Sequence, residues 1–391
     1  MKHTTCCPMV TAFLLAGTAA CSPDVRSAAF VETLGTDTMS VEVFSRTADR
    51  LEGRLITRTP VTRIATYAAT LSPRGAMDRL EVDVVTPAEN PDGPGPTRIV
   101  MSRRGDSVVV ERYRQEADTI MVSAPEGTLF FVAKAPMPIA FAELAVRQAG
   151  RADTPFAITT LPAGGQRTSA NTLTRVAGDT VALDFFGMPM YLMVDQDGLV
   201  TGLDGHATTL KVSVAAADPA TIDVDALGAD FATRDARGAG IGVASPRETV
   251  QASGGGADFE VDYSRPAARG REIWGGLVSP NVVWRTGANA ATVFTTSRDL
   301  MVGDARVPAG SYTLWSMYAD GDLTLIINAQ TGQWGTAYDS AQDLVHVPMT
   351  AETLDEPFER FTIAVDPMAN GGMLRFSWDR TVFAVPMRVV R

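Results

Sequence analysis

Arginine, aromatic and amide side chains crowd into one stretch of this sequence. Tyr263, Arg265, Arg271, Trp284, Arg285, Asn289 and Trp334 all fall between positions 263 and 334. Planar guanidinium forks bond pairs of carboxylate or sugar oxygens, and indole rings offer flat apolar faces, so the set suits a carboxylate or glycan ligand. Arg265 alternates with Phe259, Val261 and Tyr263, which puts it on the apolar face of its strand, where an unpaired guanidinium is costly. Arg285 directly follows Trp284 in a turn containing Gly287 and Asn289. The same residues also serve as structure: Arg285 tying loop carbonyls together or pairing with Glu272, and Trp284 filling a core. Both readings stay open on the sequence.

Other chemistry finds less support. His3, His206 and His346 are the only histidines, and neither of the last two has a histidine or cysteine at ligand spacing, which argues against zinc. No HExxH, G-x-S-x-G or phosphate-cradling glycine loop occurs, and no cofactor is expected. A His–Ser–Asp set around His346 would have to be assembled by the fold. Asp258, Glu260 and Asp262 offer the carboxylates of a glycosidase or a calcium site. Their period of two instead predicts the wet face of a strand. Gly254-Gly255-Gly256 reads as a hairpin turn between two strands.

The chain has 391 residues with a formal charge of −11. That sign repels nucleic acid and anionic headgroups, so neither is expected as an electrostatic partner. Only Lys2, Lys134 and Lys211 are lysines, so arginine carries nearly all the positive charge. Residues 1–20 read as an export signal: Lys2 and His3, an apolar run from Met9 to Gly17, then Thr18-Ala19-Ala20 before Cys21. The run is too short to span a bilayer. Cys21 is expected to carry acyl chains that anchor the protein to a membrane, although Thr18 stands where a lipobox usually has Leu. Ser22 supplies no acidic retention signal, which favours the outer membrane or cell surface. The alternative is an ordinary cleaved signal and a secreted or periplasmic protein. Cys6 and Cys7 leave with the signal, so no disulfide, thiol nucleophile or cysteine metal site is expected in the mature chain.

Positioning elements follow from periodicity. The fold class expected is mainly β, with two antiparallel domains. Residues 21–36 form a lipidated tether, 37–215 a curved sheet or partial barrel with one helix near 138–149, 216–244 a linker, and 245–391 a β-sandwich or jelly roll. Ser40–Phe44 and Asp78–Val85 alternate as strands with one wet face. Asn90–Pro96 is too rich in proline and glycine to join a ladder. Pro138 suits the first turn of the helix and Gly150 its stop. A curved sheet with a helix over its open side holds either a plugged core or an apolar ligand. Within the linker, Val224–Thr233 has the makings of a short helix. Ala319-Asp320-Gly321-Asp322 is a hairpin signal between Ser311–Tyr318 and Leu323–Asn328.

Ser245-Pro246, Tyr263–Pro266, Gly270-Arg271, Trp274–Val278, Trp284–Asn289, Val307–Tyr312 and Gln333–Gly335 occur in an order that resembles the bacterial family known as domain of unknown function 2911. The resemblance covers about residues 245–391, with Trp274 as a departure from the usual residue at its position. It implies an exported β-rich module and assigns no reaction. The function expected is therefore non-catalytic binding of a small ligand, glycan or partner protein. An extracytoplasmic hydrolase and an apolar-ligand carrier in the N-terminal domain are the alternatives.

Overall fold

The computed structural model describes residues 25–72, 75–87, 97–114, 116–150, 154–185 and 187–390. The expected signal at 1–20, the expected lipidation site Cys21 and the loop expected at 90–96 lie outside the described residues. The N-terminal domain contains β1 (Arg26–Leu34), β2 (Asp37–Arg46), β3 (Arg50–Thr57), β4 (Arg63–Leu71), β5 (Met77–Val85), β6 (Thr97–Arg104), β7 (Ser107–Tyr113), β8 (Ala117–Ser123) and β9 (Leu129–Phe131). After α1 (Ile139–Ala149) come β10 (Phe156–Pro162), β11 (Ser169–Ala177), β12 (Thr180–Phe185), β13 (Met188–Val194), β14 (Val200–Asp204) and β15 (Ser213–Ala217). These strands form one sheet of 15, ordered 8-7-6-5-4-3-2-1-15-14-13-12-11-10-9. Every pairing is antiparallel except β9 with β10. The sheet stays open, with β8 and β9 at its edges.

A strand begins at Arg26, so the tether expected over 21–36 is corrected. β1 pairs with both β2 and β15 and joins the two arms of the sheet. Ala28 and Phe30 supply its inner face, and six further residues of Arg26–Leu34 are at least half-buried. A segment with that much buried surface and two ladders cannot be a free spacer.

Helix α1 fills the hollow of this sheet. All eight residues from Ile139 to Val146 are buried, which marks a core helix rather than an amphipathic surface one. Ile139, Phe141, Leu144 and Val146 each gain roughly 1.5–3 kcal/mol from leaving water. Pro138 at its N-cap offers no side-chain bond to the first turn. Glu42 of β2 takes that role from the sheet wall, its Oε2 accepting the Ala140 N–H at 3.3 Å. Tyr67 of β4 donates to Oε1 of the same carboxylate at 2.7 Å. Gly53 of the intervening β3 makes this reach feasible, because a Cβ there would lie 2.3 Å from the Tyr67 hydroxyl. Further along α1, Glu143 is fully buried and ion-paired to Arg26 at 2.9 Å and Arg46 at 3.1 Å.

The wet face expected for β2 is absent, which is a second correction. Ser40, Glu42, Phe44 and Arg46 are buried on one face. On the other face Val41 packs with Ile56, Ile64, Val224 and Phe231. The covering element is α2 (Val224–Ala236), capped by Asp223 through the Asp225 and Ala226 N–H groups. The connection at 216–244 thus carries a helix seated on the outer face of the N-terminal sheet.

The C-terminal domain is a β-sandwich built from β16 (Arg247–Gly254), β17 (Ala257–Ser264), β18 (Val283–Trp284), β19 (Thr292–Thr296), β20 (Leu300–Val302), β21 (Ala305–Val307), β22 (Gly310–Ala319), β23 (Asp322–Asn328), β24 (Asp343–Met368) and β25 (Gly371–Val389). Its strand order is 16-17-19-22-23-24-25-20-21, with β18 beside β22. The register of β24 on β25 shifts between Thr353 and Thr362, where these long strands turn from one half of the sandwich to the other. The expected alternation of β17 holds: Phe259, Val261 and Tyr263 are buried, while Asp258 and Glu260 are exposed. The hairpins at Gly255-Gly256 and Asp320-Gly321 lie where the sequence placed them.

Two turns join the domains. The Thr36 N–H, in the β1–β2 turn, donates to the Arg269 carbonyl at 2.9 Å. Arg269 also forms an ion pair with Asp37. Gly35 has φ +61°, and a Cβ on it would lie 2.2 Å from the Arg269 oxygen. Gly35→Ala is therefore expected to lower stability by about 1–3 kcal/mol, read by urea unfolding. It should also open the connection between Arg237 and Arg247 to trypsin, whereas an unchanged digestion rate would mean the turns do not hold the domains together.

Candidate functional site

The seven residues singled out in the C-terminal domain separate into three groups. Tyr263 and Trp284 belong to an aromatic core. Tyr263 is fully buried, meets Phe361 edge-on at 5.9 Å, and accepts the Ile363 N–H on its hydroxyl at 2.9 Å. Trp284 stacks on Trp378 at 5.8 Å and donates to the Gly287 carbonyl at 3.0 Å. Tyr263→Phe leaves the buried Ile363 N–H without an acceptor and is expected to cost about 1–3 kcal/mol. Urea unfolding followed by tryptophan fluorescence checks this; a midpoint equal to the parent's would remove the structural role.

Arg265 and Arg271 act as staples. Arg265 bonds the Phe361 carbonyl at 3.2 Å and Thr362 Oγ1 at 2.7 Å, and pairs with Glu248. This explains how a guanidinium sits on an apolar strand face. Arg271 donates to the Ala268 and Ala267 carbonyls at 2.9 and 2.6 Å, and burial lowers its pKa.

Arg285, Asn289 and Trp334 form the third group, around Gly335. Arg285 donates to the Gly335 carbonyl at 3.2 Å, and the Gly335 N–H donates to the Asn289 carbonyl at 3.0 Å. Asn289 is exposed, and the Trp334 ring is 54% exposed, too open for a core residue. Arg285 ties a loop carbonyl, as one of the two readings required, and makes no ion pair with Glu272. Burial lowers its pKa. Lys211, from the N-terminal domain, is also shifted downward by burial, with the charges of Arg285 and Arg271 adding to the effect.

His206 and His346 are each held by a carboxylate. His346 Nε2 lies 2.9 Å from Asp343 Oδ2, while Asn328 and Tyr338 also donate to Asp343. Among the described residues, no serine hydroxyl is bonded to His346. His206 Nδ1 faces Asp204 at 2.7 Å and Ser213 Oγ at 3.5 Å, both on the same ring nitrogen, so the order of a relay is missing.

A different place gathers more unsatisfied polar chemistry. Where the domains meet, Thr36, Asp37, Thr38 and Arg58 of the N-terminal domain face Ala267, Arg269, Glu359 and Arg360 of the sandwich. Phe231 and Arg234 of α2 and the loop at 239–241 close a third side. The cleft between them has a volume of about 350 Å³. The Arg58 guanidinium stacks over the Phe231 ring at 4.1 Å and donates to the Thr38 carbonyl at 2.9 Å. Burial lowers its pKa, and the Arg234 charge adds to this. Arg234 pairs with Asp230 at 2.7 Å, Arg269 pairs with Asp37, and Glu359 accepts the Arg269 N–H at 2.9 Å. Arg58 and Arg360 make no ion pair among the described residues. Arg58 Nε, Arg269 Nε and Arg360 Nη1 are buried with no hydrogen-bond partner.

Sequence reasoning missed Arg58, Arg269 and Arg360 because they lie on three separate segments, each arginine ordinary in an arginine-rich chain. The nearest signal was Gly270-Arg271, one residue beyond Arg269.

Residues 245–387 match the model of a family described as a protein of unknown function (DUF2911). The N-terminal part matches no family model. No curated protein matches the chain at a significant level. Similar solved structures include a DUF1089 family protein from Pseudomonas aeruginosa, 17% identical, with a TM-score of 0.34, covering 44% of this chain and 92% of that one. Another is a beta-barrel-like protein of the domain of unknown function DUF1849 from Brucella abortus, 14% identical, with a TM-score of 0.32, covering 50% of this chain and 94% of that one.

Proposed function

We propose that this chain is an exported, lipid-anchored binding protein that holds a small ligand in the cleft between its two β domains and catalyses no reaction on it. The observation that carries the reading is the cleft itself. At about 350 Å³ it falls in the size range of small-molecule sites, and domain junctions are where such sites concentrate. Its lining offers hydrogen-bond donors from Arg58, Arg269 and Arg360 and an apolar wall from Phe231 and Ile241. The acidic groups there, Asp37 and Glu359, are engaged with Arg269, which fits recognition better than acid–base work. The filled hollow around α1 favours the cleft over the interior of the N-terminal sheet as the place for a ligand. Anchoring through Cys21 is part of the proposal and rests on the export signal and the cysteine that follows it.

Thermal unfolding of the full chain with a panel of sugars, carboxylates, phosphates and fatty acids tests the site. A ligand specific for the folded state stabilises it by about 2.7 kcal/mol at a hundredfold excess over Kd. Ala239→Trp, on the exposed cleft loop, should remove that shift by occupying the space. A ligand shift that survives this substitution would place binding elsewhere. Radiolabelled palmitate incorporation, lost in Cys21→Ala, tests the anchor.

A further inference from the structure

We propose that the ligand of this cleft carries an oxyanion, a carboxylate or phosphate group of a small organic molecule, held jointly by Arg58 of the N-terminal domain and Arg360 of the sandwich. The inference rests on the cleft being a ligand site and names the chemistry it takes. Three guanidinium N–H groups there are buried without a partner, on Arg58, Arg269 and Arg360. Leaving a buried donor unbonded is expensive, more so on a charged group. Arg26, Arg46, Arg63 and Arg285 each have such a nitrogen elsewhere in the protein; at the cleft three come together, where a ligand or water can complete them.

The charges decide the sign of the ligand. Four arginines line the cleft, and two of them are already neutralised, Arg234 by Asp230 and Arg269 by Asp37. Asp235 packs against the lining residue Gly240, its Oδ2 accepting the Thr62 N–H at 2.6 Å and its Oδ1 buried with no hydrogen-bond partner. The charges of Asp235, Asp37 and Asp230 reach Arg58, yet none of these carboxylates is within ion-pair distance of it. Glu359 faces the same space and accepts the Arg269 N–H. Arg58 and Arg360 therefore remain as unpaired cations, one from each domain. In a chain of charge −11 an anion is repelled by most of the surface and is drawn to such a place.

Geometry supports an oxygen pair. Stacking on Phe231 fixes the plane of the Arg58 guanidinium; Nη1 is taken by the Thr38 carbonyl, which leaves the Nε–Nη2 edge for a bidentate acceptor. The cleft has room for roughly ten waters at about 30 Å³ each, more than one carboxylate or phosphate group fills. The remaining space, walled by Phe231 and Ile241, is left for an organic body.

The experiment uses the full chain in phosphate-free buffer at low salt, with inorganic phosphate, citrate and glucose as probes. Calorimetric binding and thermal shift are read for the parent, Arg58→Gln, Arg360→Gln and Ala239→Trp, with circular dichroism confirming the fold of each. The expected result is binding of phosphate or citrate, weakened at least tenfold by each Arg→Gln change, weakened by added NaCl, and absent in Ala239→Trp. Without ligand, Arg360→Gln should melt no lower than the parent, since it removes an unpaired cation; a purely structural arginine would lower the melting point. If Arg58→Gln fails to fold, Arg360→Gln still decides. Glucose binding that is lost in Ala239→Trp but kept in Arg360→Gln would overturn the oxyanion while leaving the cleft as a ligand site. Phosphate or citrate binding retained in Ala239→Trp, or no binding by any probe, would overturn the oxyanion site and count against the cleft itself.

Discussion

Glu143→Ala is expected to destabilise the N-terminal domain by about 3–5 kcal/mol, the cost of stranding buried charges when one member of an ion cluster is removed. Glu143 is the one polar residue on the buried stretch of α1, and it faces three elements at once. Its Oε2 lies 2.9 Å from Arg26 of β1 and accepts the Val200 N–H of β14 at 3.3 Å. Its Oε1 lies 3.1 Å from Arg46 of β2. The carboxylate thus pins the helix against strands from both arms of the sheet. Alanine would leave the Arg46 guanidinium and the Val200 N–H without this acceptor, and Arg26 with the Val200 carbonyl at 3.4 Å. Glu143→Gln keeps one acceptor oxygen and fills the same space, while it loses the charge and turns the other oxygen into a donor, so a smaller loss is expected. The readout must be chosen with care, because all five tryptophans, at 274, 284, 315, 334 and 378, lie in the C-terminal domain. Far-UV circular dichroism and hydrogen exchange over α1 report the N-terminal domain, and tryptophan fluorescence serves as an internal control. Unchanged protection of the α1 amides in Glu143→Ala would contradict the cluster's role.

Glu42→Gln is expected to change the pH dependence of stability by about 3 kcal/mol between pH 5 and pH 8. Burial pushes the Glu42 carboxyl up from the usual 4.5 to about 7, against the opposing effects of the Tyr67 hydroxyl, the Ala140 and Ile139 N–H groups and the Lys134 charge. The folded state then holds a proton that the unfolded chain has released between pH 4.5 and 7. Stability from this group is full below pH 4.5 and is lost as pH rises through about 7. Glutamine is neutral throughout, so the variant should resemble the parent at pH 5 and exceed it at pH 8. Urea unfolding followed by circular dichroism, with parent and variant compared at each pH, cancels the titration of every other group. A constant difference between the two proteins across this range would show that Glu42 does not titrate there.

Much of the fold was readable because it rests on local patterns. Asp258, Glu260 and Asp262 alternate with Phe259, Val261 and Tyr263; the second set is buried, while Asp258 and Glu260 are exposed and Asp262 is half-buried. Pro138 and Gly150 bracket α1, and the expected helix near 138–149 forms as Ile139–Ala149. Alternation also has a limit, and β2 shows it. A period of two says that Ser40 and Glu42 share a face opposite Val41 and Val43, but not which face meets water. Both are covered, one by α1 and the other by α2, elements that begin about a hundred or more residues further along the chain.

The candidate site divides along the same line. Composition, strand periodicity and the separated C-terminal motifs are properties of the chain itself, so the sequence alone determined a mainly β, two-domain protein with a recognisable C-terminal module. It also brought Arg265 and Arg285 forward as guanidinium groups needing partners. Only the tertiary structure decided that Arg265 finds Glu248, Thr362 and a carbonyl, while Arg58 and Arg360 find no ion pair among the described residues. Residue type states how many donors a side chain carries. Whether each donor meets an acceptor depends on groups brought together from distant segments, and at this cleft those segments belong to two domains and the connection between them.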